Sequence, residues 1–146
     1  MVVEFRTSVD IAAPPEVVWA VMSDVEHWHE WTQSVRSIRL VGGEPIRVGT
    51  RARIKQPRFP PAIWKVTALE PGHSFTWESG APGVRVYANH SVEPVAGGAR
   101  VALVLYYQGF AGRLLARMTR DITNRYLTYE AEGLKRRSEA IAARRS

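Results

Sequence analysis

Between Val3 and Ile11, apolar and polar side chains alternate: Val3, Phe5, Thr7, Val9 and Ile11 against Glu4, Arg6, Ser8 and Asp10. A period of two is the pattern of a half-buried strand. Ala13-Pro14-Pro15 stops it, and proline is tolerated at a helix start. From Glu16 the spacing changes. Val17, Val18, Val21, Met22 and Val25 fit one face of a short helix, with Trp19 beside it. Ser23-Asp24 can cap a second short turn over Glu26 to Trp31.

Six further strands are predicted, over Val35–Val41, Thr50–Gln56, Ala62–Leu69, Ser74–Ser79, Val84–Val92 and Arg100–Gln108. Turn residues separate them: Gly42-Gly43-Glu44-Pro45, Pro57 with Pro60-Pro61, Pro71-Gly72, Gly80 to Gly83, and Gly97-Gly98. Connections this short imply antiparallel neighbours. Parity then separates the faces. Ala52, Ile54, Trp64, Val66, Phe75, Trp77, Val84, Val86 and Ala88 share one side, while Arg51, Arg53, Lys55, Lys65, Glu78 and Arg85 take the other. One sheet face is dry, and something must cover it.

The segment from Phe110 to about Ala143 lacks proline, and a continuous helix over it would run about 50 Å. At about 100° per residue, Phe110, Ala111, Leu114, Leu115, Met118, Ile122, Tyr126 and Tyr129 share an arc of about 160°. Arg113, Arg117 and Arg120 fall opposite. The pattern predicts an amphipathic helix laid on the dry face by that arc. Leu127, Leu134 and Ile141 fall outside it, so the end beyond Gly133 is expected to fray or to touch a partner. The expected fold is α+β: a seven-stranded curved antiparallel sheet wrapped around a long C-terminal helix, with two short helices between the first and second strands. No repeat or linker divides residues 1–146, so one domain is expected.

Composition narrows the function. The longest apolar run, Val101 to Tyr107, is far short of the roughly 20 residues of a membrane span, so no integral membrane association is expected. Cysteine is absent, which removes disulfides, thiol nucleophiles and cysteine zinc sites. Glu4 and Arg6 interrupt the start where a secretory signal would be apolar. Together these favour a cytoplasmic address. The formal net charge is +6, but the basic residues are dispersed and cluster only at Lys135-Arg136-Arg137 and Arg144-Arg145. A dispersed excess speaks to solubility rather than to a groove reader, so nucleic acid is not an expected partner. His27 and His29 are two residues apart and share no helix face, so no metal site is expected. No nucleophile elbow, phosphate loop or dinucleotide fingerprint is present, and no cofactor is expected.

Particular stretches carry a family likeness: Val9-Asp10-Ile11-Ala12-Ala13-Pro14-Pro15-Glu16-Val17-Val18-Trp19, then Asp24, Trp28 and Trp31. Gly49-Thr50-Arg51, Trp64-Lys65-Val66 and Leu69-Glu70-Pro71-Gly72 follow. In these the chain resembles the START-like (SRPBCC) superfamily, and within it the polyketide cyclase/dehydrase and lipid-transport group. The resemblance implies the helix-grip fold and a cavity between sheet and long helix that takes an apolar or aromatic small molecule. The motif residues shape the scaffold and carry no reaction.

The residues themselves point the same way. Phe5, Trp64, Phe75, Trp77 and Tyr107 from strands, with Tyr126 and Tyr129 from the helix, crowd one face. Large rings on a curved sheet are hard to pack without voids, although such rings also serve as ordinary core. Val86, Met118 and Ile122 would add apolar wall. His90 shares the parity of Val84, Val86 and Ala88, so it is expected to face inward, where it could bond a ligand or move a proton. Tyr107 and Gln56 have similar placement. Arg125 lies inside the apolar arc with Asp121 one turn earlier. It either snorkels into a surface pair or reaches the cavity mouth to hold an anionic oxygen. The candidate catalytic residues are therefore His90, Tyr107 and Arg125.

Three functions remain open: a carrier or sensor of a hydrophobic or aromatic molecule such as a lipid or polyketide; a cofactor-free polyketide cyclase, aromatase or dehydratase using the same cavity; and an interaction protein whose basic C-terminal end docks elsewhere, which predicts a collapsed cavity and an exposed patch near Leu127, Leu134 and Ile141. Monomer and homodimer are equally compatible with the pattern.

Overall fold

The computed structural model describes residues 2–145. Strand β1 (Val2–Ile11) leads into helix α1 (Pro15–Ser23) and a 3-10 turn over Val25–Glu30. Strands β2 (Ser37–Val41), β3 (Arg51–Gln56), β4 (Phe59–Glu70), β5 (Ser74–Ala81), β6 (Val84–Val95) and β7 (Gly98–Gln108) follow. Helices α2 (Gly112–Met118) and α3 (Arg120–Arg145) close the chain. The seven strands form one antiparallel sheet in the order β1-β7-β6-β5-β4-β3-β2. This is the seven-stranded helix-grip arrangement expected from the sequence.

The alternation does what parity requires. Ala52, Ile54, Val66, Phe75, Trp77 and Ala88 are buried on the inner face. Arg51, Arg53, Lys55, Lys65 and Arg85 are exposed on the outer one. Pro15 opens α1 at a position whose amide has no helical partner to lose. Asp24 makes no capping bond to the following turn; its Oδ1 accepts from His27 Nδ1 at 2.9 Å instead.

Strand β4 starts earlier than the turn signals suggested, with Pro60 and Pro61 inside it. The prolines are tolerated because registered pairing with β5 begins only at Lys65, opposite Glu78. Residues 59–64 therefore have no β5 ladder to break. A register shift between Ile54 and Gln56 loosens the β3 side as well.

The C-terminal segment corrects the sequence reading twice. It is not one helix: it breaks at Thr119, whose hydroxyl donates back to the Leu115 carbonyl at 2.8 Å. Such back-bonding competes with the regular ladder and bends helices. Its buried face also overlaps the arc of large apolar residues only in part, at Tyr126. Gly112, Ala116, Thr123, Tyr126, Leu127, Ala131, Gly133, Leu134 and Ser138 are buried, whereas Phe110, Leu114 and Met118 are exposed. Leu127 and Leu134 are core and Ile141 packs against it, so no exposed patch forms there.

The reason is steric. Small residues let a helix approach its support, and a Cβ built on Gly133 would lie 1.9 Å from the Trp31 carbonyl oxygen. Polar ties fix the same approach. Ala12 N–H donates to Glu139 Oε2 at 2.9 Å, Lys135 Nζ bonds the same carboxylate at 2.6 Å, and Arg137 pairs with Glu30. These pairs are at least partly solvated and contribute little each. The close approach at Gly133 dominates. Gly133→Ala is accordingly expected to cost roughly 3 kcal/mol or more, or to prevent folding, because the obstacle is backbone. Urea denaturation measures this; a loss below about 1 kcal/mol contradicts the account.

Candidate functional site

Because α3 packs mainly on β1 and α1, part of the concave sheet face stays uncovered. There the protein holds a cavity of about 630 Å³. Ligand sites are commonly roughly 300–1,000 Å³ and mostly apolar. Its wall includes the rings Trp28, Phe59, Trp64, Trp77, Tyr107 and Tyr126, with Val35, Ile54, Val86, Leu103, Leu115 and Leu127 between them. The rim is formed where β4 and β5 part, by Pro60, Pro61, Ile63, Gly80 and Ala81, all exposed. The splay that accommodates the two prolines thus also opens the mouth.

Of the residues singled out from the sequence, Trp64, Trp77, Val86, His90, Tyr107, Tyr126 and Gln56 border this cavity. Phe75 is fully buried behind it, stacked on His90 at 4.3 Å. Met118, Ile122, Arg125 and Tyr129 do not border it. Met118 is 74% exposed, and Arg125 is exposed without an ion pair to Asp121. Neither lines the cavity, and Arg125 does not form the surface pair.

His90 sits among Phe75, Trp28 and Trp77, with ring centroids 4.3, 5.3 and 5.6 Å away. Burial pulls its pKa from 6.5 down to about 4, against a lesser opposing hydrogen bond with the Phe75 backbone. The ring is neutral at neutral pH, so one nitrogen donates and the other accepts. Nδ1 is buried and forms no well-aligned hydrogen bond among the described residues. Tyr107 Oη lies 3.3 Å from Thr123 Oγ1 and 3.4 Å from Thr119 Oγ1, which links the cavity wall to the break between α2 and α3. Tyr126 Oη accepts from the Arg58 amide at 3.1 Å and so ties the β3–β4 hairpin to α3.

Sequence reasoning missed Glu130. It is part-buried in the cavity wall on α3, one turn beyond Tyr126 and Leu127. Ser34 Oγ donates to its Oε2 at 3.2 Å, and Thr32 Oγ1 lies 2.8 Å from Ser34 Oγ. Both hydroxyl residues are buried. Burial raises the Glu130 pKa from 4.5 to about 7, and the Ser34 bond only partly offsets this. The signal was available as spacing, since a glutamate at i+4 from Tyr126 and i+3 from Leu127 shares their face. It required the correct buried face to be read.

Chemically, the site is an apolar hollow with two groups of unequal protonation behaviour and no lysine or arginine in its wall. Elsewhere, Asp24, His27 and Glu44 bring ligand atoms within 4.8 Å of one another, and the hydrogen bond from His27 to Asp24 accounts for the approach of the first two.

Fold and cavity place the protein in the class of helix-grip, ligand-cavity folds. The chain belongs to the polyketide cyclase/dehydrase and lipid transport family, whose pattern it matches over residues 2–139. Among solved structures it is similar to the Zhui aromatase/cyclase from Streptomyces sp. R1128, at 14% identity and a TM-score of 0.77, covering 95% of this chain and 94% of that one. It is also similar to norcoclaurine synthase from Thalictrum flavum, at 14% identity and a TM-score of 0.74, covering 94% of both chains. A third likeness is Ara h 8.0201, at 12% identity and a TM-score of 0.76, covering 96% of this chain and 99% of that one. Among curated proteins, none matches the sequence.

The two buried groups predict opposite pH effects. A proton is bound more tightly by folded than by unfolded Glu130, so this contribution is present below pH 4.5 and is lost as pH rises to about 7. His90 behaves in the reverse sense: its contribution is present above pH 6.5 and is lost as pH falls to about 4. Each amounts to at most about 3 kcal/mol, and they oppose one another between the two ordinary values. Stability curves of Glu130→Gln and His90→Phe, each subtracted from wild type, should slope in opposite directions. Parallel or flat difference curves contradict the assignment.

Proposed function

We propose that the protein binds a hydrophobic, ring-containing small molecule in the cavity between sheet and α3, with the molecule's polar end at His90 and Glu130. The observation that carries this reading is the cavity of about 630 Å³, whose aromatic wall holds the two buried polar groups His90 and Glu130. Buried polar atoms ordinarily find partners, and a hydroxyl or carbonyl on a bound molecule supplies one. Family membership supports the same reading, because the family's description joins polyketide chemistry with lipid transport. Carriage needs nothing more than this hollow.

A second reading is favoured by Glu130 alone. A carboxyl whose pKa is about 7 is suited to take a proton from carbon next to a carbonyl at neutral pH, as cofactor-free aldol closure or dehydration requires. His90 would then donate a hydrogen bond to the developing enolate oxygen. The solved aromatase/cyclase of similar fold adds support to this version.

The test uses 2-naphthol, an aromatic probe with one hydroxyl, followed by tryptophan fluorescence. Saturable binding with a Kd of ~0.1 mM is expected, from about 0.5 kcal/mol per non-hydrogen atom. Val86→Trp, which places an indole in the hollow, should remove that binding while the protein stays folded. Absence of saturable binding, or binding indifferent to Val86→Trp, contradicts the reading. Turnover of a poly-β-ketone that Glu130→Gln abolishes, with naphthol affinity retained, marks the enzymatic version.

A further inference from the structure

The fold buries Tyr126 from the arc of large apolar residues but leaves its first part in the open. Phe110, Leu114 and Met118 follow one another at intervals of four residues and are 93%, 60% and 74% exposed. They stand away from Gly112 and Ala116, the residues by which α2 is buried. Scattered exposed apolar side chains are ordinary, but three neighbours, one in the turn before α2 and two on α2, are not.

Arginines lie along one side of the row, toward β1. Arg113, Arg117 and Arg120 are exposed beside a recess shared with Glu4 and Arg6, and none of their side chains has an ion pair or hydrogen bond among the described residues. Between residues 109 and 125 four arginines accompany a single acid, Asp121. The segment also sits at the cavity entrance. Leu115 lines the cavity from the inner side of α2, and the Phe110 ring lies so close over Gly83 that a Cβ there would be 2.6 Å from it. Gly80, Ala81 and Val84 border both the cavity and the recess beside Phe110.

We propose that this face seats on an anionic lipid bilayer, with Phe110, Leu114 and Met118 entering the boundary between headgroups and acyl chains and Arg113, Arg117 and Arg120 meeting the lipid phosphates. A bilayer accepts protruding apolar side chains without a complementary shape, and a negative surface attracts basic residues that lack partners. Three side chains offer far less than the roughly 800 Å² per partner of a stable protein interface, which favours a membrane over a second copy of the chain. The contact is peripheral: among the described residues no helix is long and apolar enough to cross a membrane. It brings the mouth of the cavity to the lipid surface, and it stands whatever the cavity holds.

Co-flotation with vesicles tests it, using equal parts phosphatidylglycerol and phosphatidylcholine against phosphatidylcholine alone, at ~0.1 M salt. Partition onto the anionic vesicles should be at least about tenfold stronger and should weaken at ~0.5 M salt. Phe110→Ser/Leu114→Gln/Met118→Gln and Arg113→Gln/Arg117→Gln/Arg120→Gln should each lower it at least about tenfold, with melting temperature and 2-naphthol binding unchanged. Equal partition onto both vesicle types, partition onto neither, or full retention in the apolar triple variant overturns the proposal. So does a dimer in sedimentation velocity that the apolar triple variant converts to monomer, since the row would then join two copies of the chain.

Discussion

The approach of α3 to the Trp31 backbone, permitted by Gly133, sets the geometry of everything else. With no side chain at 133 and small ones at Ala131 and Ser138, the helix settles close against Trp31, β1 and α1. A helix seated there cannot also cover the inner face of β3, β4 and β5. The uncovered part of the sheet becomes the cavity, floored by Trp64 and Trp77 and roofed by Tyr126, Leu127 and Glu130. A bulkier residue at 133 would lift the helix and disturb both the support and the hollow.

The cavity combines extensive aromatic surface with sparse polarity. Low polarity makes charge expensive, and this is visible in both titratable groups of the wall. His90 is held neutral by being pushed down, and Glu130 is pushed up to about the middle of the neutral range. The hydroxyls of Thr32 and Ser34 stabilise the glutamate from behind without leaving the core. A hydrogen-bonding guest in this hollow would meet an imidazole and a carboxyl able to donate or accept. Aromatic rings surround both, so shape and stacking contribute alongside these polar contacts.

Much of this was legible from spacing alone. The period of two in β1 and β3 to β7 gave their existence and their dry side, and the same parity put Trp64, Trp77, His90 and Tyr107 on the inner face. The helix failed for a physical reason. A wheel drawn by side-chain size follows Phe110, Leu114 and Met118, whereas a helix packed closely on a sheet uses glycine, alanine, serine and threonine. Once the wheel was centred on the wrong face, Arg125 looked internal, Leu127 and Leu134 looked external, and Glu130 went unnoticed. The mouth was hidden too, because Pro60-Pro61 read as a turn when it lies in a strand with one unpaired side. The strongest amphipathic signal in the chain described a surface and not the core.

The central claim is that a guest occupies the hollow beneath α3. Its most direct test is the set of nuclear Overhauser contacts between the ring protons of bound 2-naphthol and the methyl groups of the protein. Contacts to Val86, Leu103 and Leu127 are predicted, three residues of the wall drawn from two strands and the helix. Contacts confined to Leu114 and Met118, on the outer face of α2, would show that the probe rides the surface and that the hollow takes no guest.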